Sequence, residues 1–294
     1  VKTVLVTGAA GFIGNRIIHT LTDWGHQVYA TEHHRTLPDL TRARCARVLR
    51  CDLRRESPMA QSLRQCDAIV HAAAQIPQPR RADDLLLIED YLAINTLATR
   101  RLAEASHTAG IPRFIYLSTA QLYAPLSVPA RETAPIAPGC HQGYLLSKLG
   151  GEWQVNVIYP HTSVILRLGT VYGLGGNSVI DTFWNQARTE QPLMIYGSGR
   201  ACVNPVWIGD VTTLIEKALF TGSGLYNVSG PSHRVLDIAL AVCDLYAKTT
   251  VRTDESQTEG PSFTPVDTRR ATEQWRYVFT PLAEGLRQYA QAGP

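Results

Sequence analysis

The chain has 294 residues, enough for one large α/β domain or two modest ones. Hydrophobic residues make up 45% and charged residues 18%, a balance that lets it bury a sizeable core and argues against disorder. Twenty-eight Lys and Arg against 25 Asp and Glu leave a net charge of +3, too small for the basic stripe that nucleic acid or an anionic membrane would need.

Thr3 to Thr7 is a short apolar, β-branched run that breaks at Gly8, and Phe12 to Thr22 follows with helical apolar spacing. Further strand-like runs lie at Gln27 to Thr31, Ala68 to Ala72, Arg113 to Ser118 and Ser163 to Arg167. Each is bounded by Gly, Pro or polar residues, as strands buried on both faces of a parallel sheet are. The longest helical stretches between them are Leu85 to Ala109 and Gln142 to Tyr159. This βαβα alternation predicts an α/β doubly wound parallel sheet of Rossmann type, with its ligand crevice beyond the carboxyl ends of the strands.

Near residue 170 the texture changes to a Gly- and Pro-rich one, around a helical piece at Val179 to Thr189. Val206 to Asp210, followed by a helical Val211 to Phe220, reads as a return to the sheet. The expected division is a nucleotide-binding domain over 1–169 with a return segment near 203–220, and a smaller, interleaved substrate lobe over 170–294. The last helix is expected at Leu282 to Ala290, after a polar loop over 255–265. The six cysteines, at 45, 51, 66, 140, 202 and 243, form no CxxC pair and no metal-ligand spacing. No run of 18 apolar residues and no export signal is visible, so a cytoplasmic protein without a membrane span is expected.

Glycines 8, 11 and 14 follow the first strand and open the first helix. Tight turning, close approach of a pyrophosphate to the helix N-terminus and close helix-to-strand packing all require bare backbone there. That context predicts a nucleotide cofactor. Glu32, at the end of the second strand, suits the free 2′-hydroxyl of NAD, whereas His33, His34, Arg35 and Arg16 would suit the 2′-phosphate of NADP. NAD is the expected cofactor, with NADP as the alternative. Asp52 is a candidate acceptor for the adenine amine, or else a turn or cap residue.

Tyr144 and Lys148 stand four apart, one above the other on a helix face. A phenol becomes a general base only where nearby cations favour phenolate. By itself the pair also reads as an ordinary amphipathic surface. A strand ending upstream in Ser118-Thr119 adds a hydroxyl that would face the same crevice.

Together these pieces resemble the NAD-dependent epimerase/dehydratase family of extended short-chain dehydrogenase/reductases over nearly the whole chain. The matching motifs are TGxxGFIG at 7–14, Asp52-Leu53, His71-Ala72-Ala73-Ala74, Asn95-Thr96-Leu97, Ser118-Thr119 four ahead of Tyr123, YxxxK at 144–148, Arg167 through Val171-Tyr172-Gly173, and Ile208-Gly209-Asp210-Val211. The resemblance implies a cofactor bound by Gly8, Gly11, Phe12, Ile13, Gly14, Glu32, Arg35, Asp52, Leu53, Ala72, Ala73, Ala74, Asn95, Tyr144 and Lys148. It implies catalysis by Thr119, Tyr144 and Lys148: Tyr144 exchanges the proton of a substrate hydroxyl, Thr119 holds the same oxygen, and Lys148 binds the nicotinamide ribose and depresses the pKa of Tyr144. Thr119, Thr170, Asn177 and Arg200 are the expected substrate residues, and a homodimer through the two long helices is expected.

Departures from the family pattern narrow the chemistry. Dehydratases of the family carry Asp and Glu after the catalytic Thr, where this chain has Ala120 and Gln121; members that invert carbons beside the ketone use a Cys where Ala120 stands. Two activities remain: a nucleotide-sugar 4-epimerase, or an NAD(P)H-dependent ketoreductase on a smaller or non-nucleotide substrate. Val203-Asn204 replaces an Arg that commonly binds the sugar diphosphate, and Thr170 replaces a frequent Asn, so Arg200 is the remaining candidate cation. A sugar derivative is the expected substrate. A cofactor sensor without catalysis is the rival, against which the intact Thr119, Tyr144 and Lys148 set argues. Cys140 and His141 read as substrate wall or surface rather than as a nucleophile pair.

Overall fold

The computed structural model describes residues 1–55, 60–77, 87–137, 142–246 and 248–292. Cys140, His141 and the expected start of the first long helix at Leu85 lie outside them. The strands of the main sheet are β1 (Thr3–Thr7), β2 (Gln27–Glu32), β3 (Arg47–Arg50), β4 (Ala68–His71), β5 (Arg113–Thr119), β6 (Ser163–Leu168) and β11 (Gly224–Val228). Their order is β11-β6-β5-β4-β1-β2-β3, with β1 parallel to both β2 and β4. The order reverses at β1, and a crevice opens where the chain leaves its carboxyl end. β4 and β6 are fully buried and β5 is buried from Phe114 onward, which accounts for the apolar runs in their sequence.

Helices α1 (Phe12–Asp23), α2 (Asp39–Arg42), α3 (Ala60–Leu63), α4 (Ile88–Tyr91), α5 (Thr99–Thr108), α6 (Gln142–Ile158) and α8 (Ile208–Ala218) connect these strands. Between α4 and α5, Leu92–Ala98 is a π-helical stretch. Leu5, Ile69, Phe114, Tyr116, Val155 and Ile165 form the centre of a core cluster between the sheet and these helices. α6 lies directly on the π-helical stretch, because Gly150 presents no Cβ to the side chain of Thr96 and Thr96 Oγ1 can donate to the Ser147 carbonyl at 2.8 Å.

The remaining elements are β7 (Thr170–Tyr172), α7 (Val179–Arg188), β8 (Leu193–Tyr196), β9 (Cys202–Val203), β10 (Pro205–Trp207), β12 (His233–Arg234), α9 (Val235–Cys243), β13 (Val251–Asp254), α10 (Arg269–Trp275) and α11 (Leu282–Gln291). They form two-stranded sheets, β10 with β7, β12 with β9 and β13 with β8. The chain divides into one unit of Val1–Leu122, Pro138–Arg167 and Thr212–Tyr226, and a second of Tyr123–Ala137, Leu168–Val211 and Asn227–Pro294. This corrects the expected boundaries. The run at 206–210 does not return to the main sheet, because β10 pairs with β7; the returning strand is β11. Segment 123–137 belongs to the second unit, where Asn227 ties it down: Tyr123 Oη donates to Asn227 Oδ1 at 2.6 Å, and Asn227 Nδ2 donates to the Ala130 carbonyl at 3.0 Å.

Candidate active site

The glycine turn is built by close approach. Gly8 has φ +67°, where L side chains are strained, and a Cβ there would lie 2.6 Å from the Ala73 nitrogen. A Cβ at Gly14 would run into the Gly8 carbonyl oxygen, which accepts from the Gly11 N–H at 2.9 Å. α1 then begins with Gly11 as N-cap, no side-chain cap bond and no acidic residue in its first turn. The N–H groups of its first turn, with the positive end of the helix dipole, form a bare anion cradle that fits a cofactor pyrophosphate.

A buried relay holds this turn against β4. The Ala73 N–H donates to Thr7 Oγ1 at 3.2 Å, and Thr7 Oγ1 lies 2.6 Å from His71 Nδ1. On the other side His71 Nε2 lies 2.9 Å from Thr99 Oγ1, whose own proton goes to the Asn95 carbonyl at 2.8 Å. With the Thr99 proton spent on Asn95, His71 donates from Nε2 to Thr99 Oγ1, and in the neutral ring Nδ1 accepts from Thr7 Oγ1. Burial agrees, lowering its pKa to about 3, with the charge of Lys148 adding to the effect. His71 is therefore a packed strand-end residue, not an acid or base at neutral pH.

Glu32 ends β2, and its Oε2 accepts from Arg42 Nη2 at 2.5 Å and from the Leu37 N–H at 3.1 Å. The Arg42 bond holds its carboxyl below the usual range. Arg42 had no signal in the sequence, since the loop that returns it to β2 has no fixed spacing. Arg35 is exposed. The Asp52 carboxylate is engaged by Arg54 Nε and Nη2, both at 3.0 Å, which lowers its pKa to about 2. The Asn95 side chain meets the loop after β4 and α6. Its Oδ1 accepts from the Gln75 N–H at 2.8 Å, and its Nδ2 donates to the Gln75 carbonyl and to Ser147 Oγ, each at 2.9 Å. The amide thus braces the loop after β4 against α6, from inside the π-helical stretch.

Alternation along β5 turns Tyr116 and Ser118 toward α6. Lys148 Nζ lies 4.1 Å above the Tyr116 ring. Ser118 Oγ donates to Glu152 Oε1 at 2.5 Å, and Arg167 from β6 clasps Glu152 through Nε at 2.9 Å and Nη2 at 2.7 Å. Ser118 is thereby spent on an interior network. Thr119, at the carboxyl end of the strand, accepts from the Gln121 N–H at 3.2 Å, and its hydroxyl proton is free to donate. The sequence reading had no place for Glu152, although its position one turn beyond Lys148 was the available signal.

Tyr144 packs edge-on against Tyr91, with ring centroids 6.0 Å apart. Dense surroundings and that neighbour push its phenol well above the ordinary range. Lys148, only 3% exposed, is pulled down to about 7 by burial, with Glu152 opposing. In this arrangement the Lys148 charge faces Tyr116, and Tyr144 stands as a neutral phenol.

The expected substrate residues other than Thr119 belong to the second unit. The Thr170 N–H donates to the Asn204 carbonyl at 2.6 Å. Asn177 is exposed, just ahead of the capping box in which Ser178 and Asp181 start α7. Arg200 is exposed and sets part of its field on Glu259, whose carboxylate accepts from the Ala201 N–H at 2.9 Å. A cavity of 910 Å³ in this unit is lined instead by Leu126, Arg131, Ser229, Asp267, Arg269 and Phe279, among others. Among the described residues, no cluster of His, Cys, Asp or Glu suits a metal ion, and no helix is long and apolar enough to cross a membrane.

Comparison with known proteins agrees with this geometry. The model of the NAD dependent epimerase/dehydratase family matches residues 4–229. A dTDP-4-dehydro-6-deoxy-D-allose reductase of Streptomyces sp is 28% identical, over 99% of this chain and 95% of that protein. A UDP-glucose 4-epimerase of Azospirillum brasilense is 34% identical over 58% of this chain and 49% of its own. Among solved structures, MoeE5 in complex with UDP-glucuronic acid and NAD superposes with a TM-score of 0.85 at 25% identity, covering 99% of each chain. The UDP-glucuronic acid 4-epimerase of Bacillus cereus, in complex with UDP-glucuronic acid and NAD, gives 0.83 at 26%, covering 98% of each.

Proposed function

Because the chain belongs to the NAD-dependent epimerase/dehydratase family, and so is an NAD-dependent enzyme of the extended short-chain dehydrogenase/reductase type, we propose that it is a nucleotide-sugar 4-epimerase. The observation that carries the chemistry is the engagement of Ser118 by Glu152, which leaves the Thr119 hydroxyl at the end of β5, beside an α6 that bears Tyr144 and Lys148.

The glycine cradle, Glu32 and the backbone over 72–74 would hold NAD. Both bonds to Glu32 fall on Oε2, leaving Oε1 for a ribose hydroxyl. When bound, NAD supplies the hydride acceptor for a secondary alcohol carbon. Tyr144 exchanges the proton of that alcohol, Thr119 donates to the same oxygen, and Lys148 holds the nicotinamide ribose. A raised phenol pKa keeps Tyr144 protonated, so the proton is present for a ketone oxygen, and a cation brought beside it lowers that pKa and makes it a base. Ala120 and Gln121 offer no carboxylate for eliminating water, so net dehydration is outside this chemistry.

A second reading, net reduction of a ketosugar, is favoured by the reductase relative that matches 99% of the chain and by Val203-Asn204 in place of a diphosphate-binding Arg. Purified protein that retains NAD and turns over UDP-glucose or UDP-glucuronic acid without added cofactor supports the epimerase. Stoichiometric consumption of NADH with a 4-ketosugar establishes the reductase instead. Tyr144→Phe is expected to keep NAD binding and lose about 10²- to 10⁴-fold in turnover; near wild-type turnover would overturn the assignment of Tyr144.

The same reading includes a homodimer. Leu146, Trp153 and Val157 form an exposed apolar stripe on α6, and Leu92 and Leu97 are exposed on the π-helical stretch beside it.

A further inference from the structure

We propose that Glu152 is a positioning residue of the active site: its carboxylate, clamped by Arg167 and Ser118 one helical turn from Lys148, favours the ammonium form of that lysine against its burial. The inference rests on the role given above to Lys148, but reaches a residue that makes no contact with substrate or cofactor.

Glu152, Arg167, Ser118 and Lys148 are all buried, at 3–5% exposure. An ammonium in such a setting strongly favours losing its proton unless a negative charge stands near it. Lys148 Nζ has the face of Tyr116 at 4.1 Å as its one described contact, and a ring face supplies only a partial negative field. From β5, Tyr116 presents a neutral ring, its own phenol raised by burial and by the charge of Glu152. From β4, His71 is neutral. Tyr144, on the same helix, is a neutral phenol packed on the ring of Tyr91 from α4. From β6, Arg167 is a cation that faces Glu152. Glu152 is therefore the one described anion that acts on Lys148, and it lies at i+4 on the same helix.

The clamp also explains the direction of the carboxylate. Three donors hold its two oxygens: Ser118 Oγ and Arg167 Nε on Oε1, and Arg167 Nη2 on Oε2. This geometry fixes the carboxylate on Arg167 and Ser118 and prevents Glu152 from swinging onto Lys148 as a direct ion pair. Lys148 thus keeps its charge without having it consumed by a contact, and remains available to a ribose. Ser118 adds a link from this charge pair to the strand that ends in Thr119.

The chain has only four lysines, at 2, 148, 217 and 248, so carbon-13 labelling at lysine Cε gives a spectrum in which Lys148 is assigned by its loss in Lys148→Met. The titration midpoint of Lys148 is read in the cofactor-free protein. Glu152→Gln, which keeps the shape and removes the charge, is expected to move that midpoint at least about one pH unit toward acid, a tenfold loss in proton affinity. Glu152→Asp, shorter but charged, is expected to keep it within about half of that. A midpoint unmoved in Glu152→Gln, or moved equally in both variants, overturns the proposal and leaves Glu152 a purely structural partner of Arg167. Should the amide variant not fold, Glu152→Met with Arg167→Met removes both buried charges together and reads the same midpoint. NADH affinity against pH separates this inference from the role of Lys148. If Lys148→Met binds NADH with the wild-type pH profile, the reading of Lys148 has failed; if only Glu152→Gln leaves the profile unchanged, Glu152 alone is misassigned.

Discussion

At the scale of single residues, the active site stores unfavourable electrostatics. Lys148 has its pKa lowered from 10.5 to about 7 by burial, so between those values the folded chain binds fewer protons than the unfolded one. For this group stability therefore rises with pH across that window, and at neutral pH its burial opposes folding. Lys148→Met is expected to raise Tm at pH 7, by about 2–4 °C for each kcal/mol relieved, and to flatten the pH dependence of Tm above 7 while turnover is lost. A lower Tm, measured by calorimetry, would show that the contact with Tyr116 outweighs desolvation. Glu32 shows the opposite economy: Arg42 already offsets its charge, so Glu32→Ala frees a guanidinium at the ribose site. The expected outcome is a fall in NAD preference over NADP of about tenfold or more, read by competitive binding. The sequence disclosed Glu32 through its place at the end of a strand, whereas Arg42 ends the one-turn helix α2, too short to show a periodic signal.

Among the elements, the first turn and the π-helical stretch shape the site. Gly8→Ala must place a Cβ at φ +67° and against Ala72 and Ala73, so the turn either strains or opens. A cost of about 1–3 kcal/mol or more in stability is expected, together with loss of NAD binding, measurable by denaturant unfolding and by cofactor titration. Both roles were legible in the sequence, because glycines at a strand-to-helix junction have few other physical reasons to recur. The π-helical stretch was not. Leu92–Ala98 reads as ordinary helix, and only tertiary hydrogen bonds of Asn95 to Gln75 and Ser147 show why the extra residue is accommodated there. Similarly, Val206 to Asp210 has the composition of a sheet strand, but Val206 and Trp207 pair with β7 and Ile208 to Asp210 open α8, since pairing partners are chosen by topology and not by local propensity.

For the whole molecule, the two long helical segments leave apolar side chains in solvent, with Trp153 66% exposed and Val157 58%. Association of two copies through this face would remove them from water at roughly 25 cal/mol per Å² of apolar area. Trp153→Glu is expected to shift a dimer to monomer in gel filtration at micromolar concentration, with the far-ultraviolet spectrum unchanged. A wild-type protein that elutes only as monomer would refute the dimer. The division of the chain shows why the substrate was less legible than the cofactor. The residues expected at the cofactor fall in one unit and follow strand ends in order, whereas Thr170, Asn177 and Arg200 sit in the second, whose short two-stranded sheets carry a weaker local signal.

The sequence by itself determined the parallel α/β architecture and the glycine turn, because both depend on short-range order, apolar runs in one case and a strand-end turn in the other, and it offered Thr119, Tyr144 and Lys148 as the set on which the proposed chemistry rests. Only the tertiary structure decided that Ser118 is engaged and Thr119 free, that Asn95 braces a loop, that Arg42 attends Glu32, and that Glu152 anchors a buried charge network behind Lys148. These assignments depend on which donors and acceptors meet across distant segments, where burial makes every unmet polar group costly and so dictates the partners.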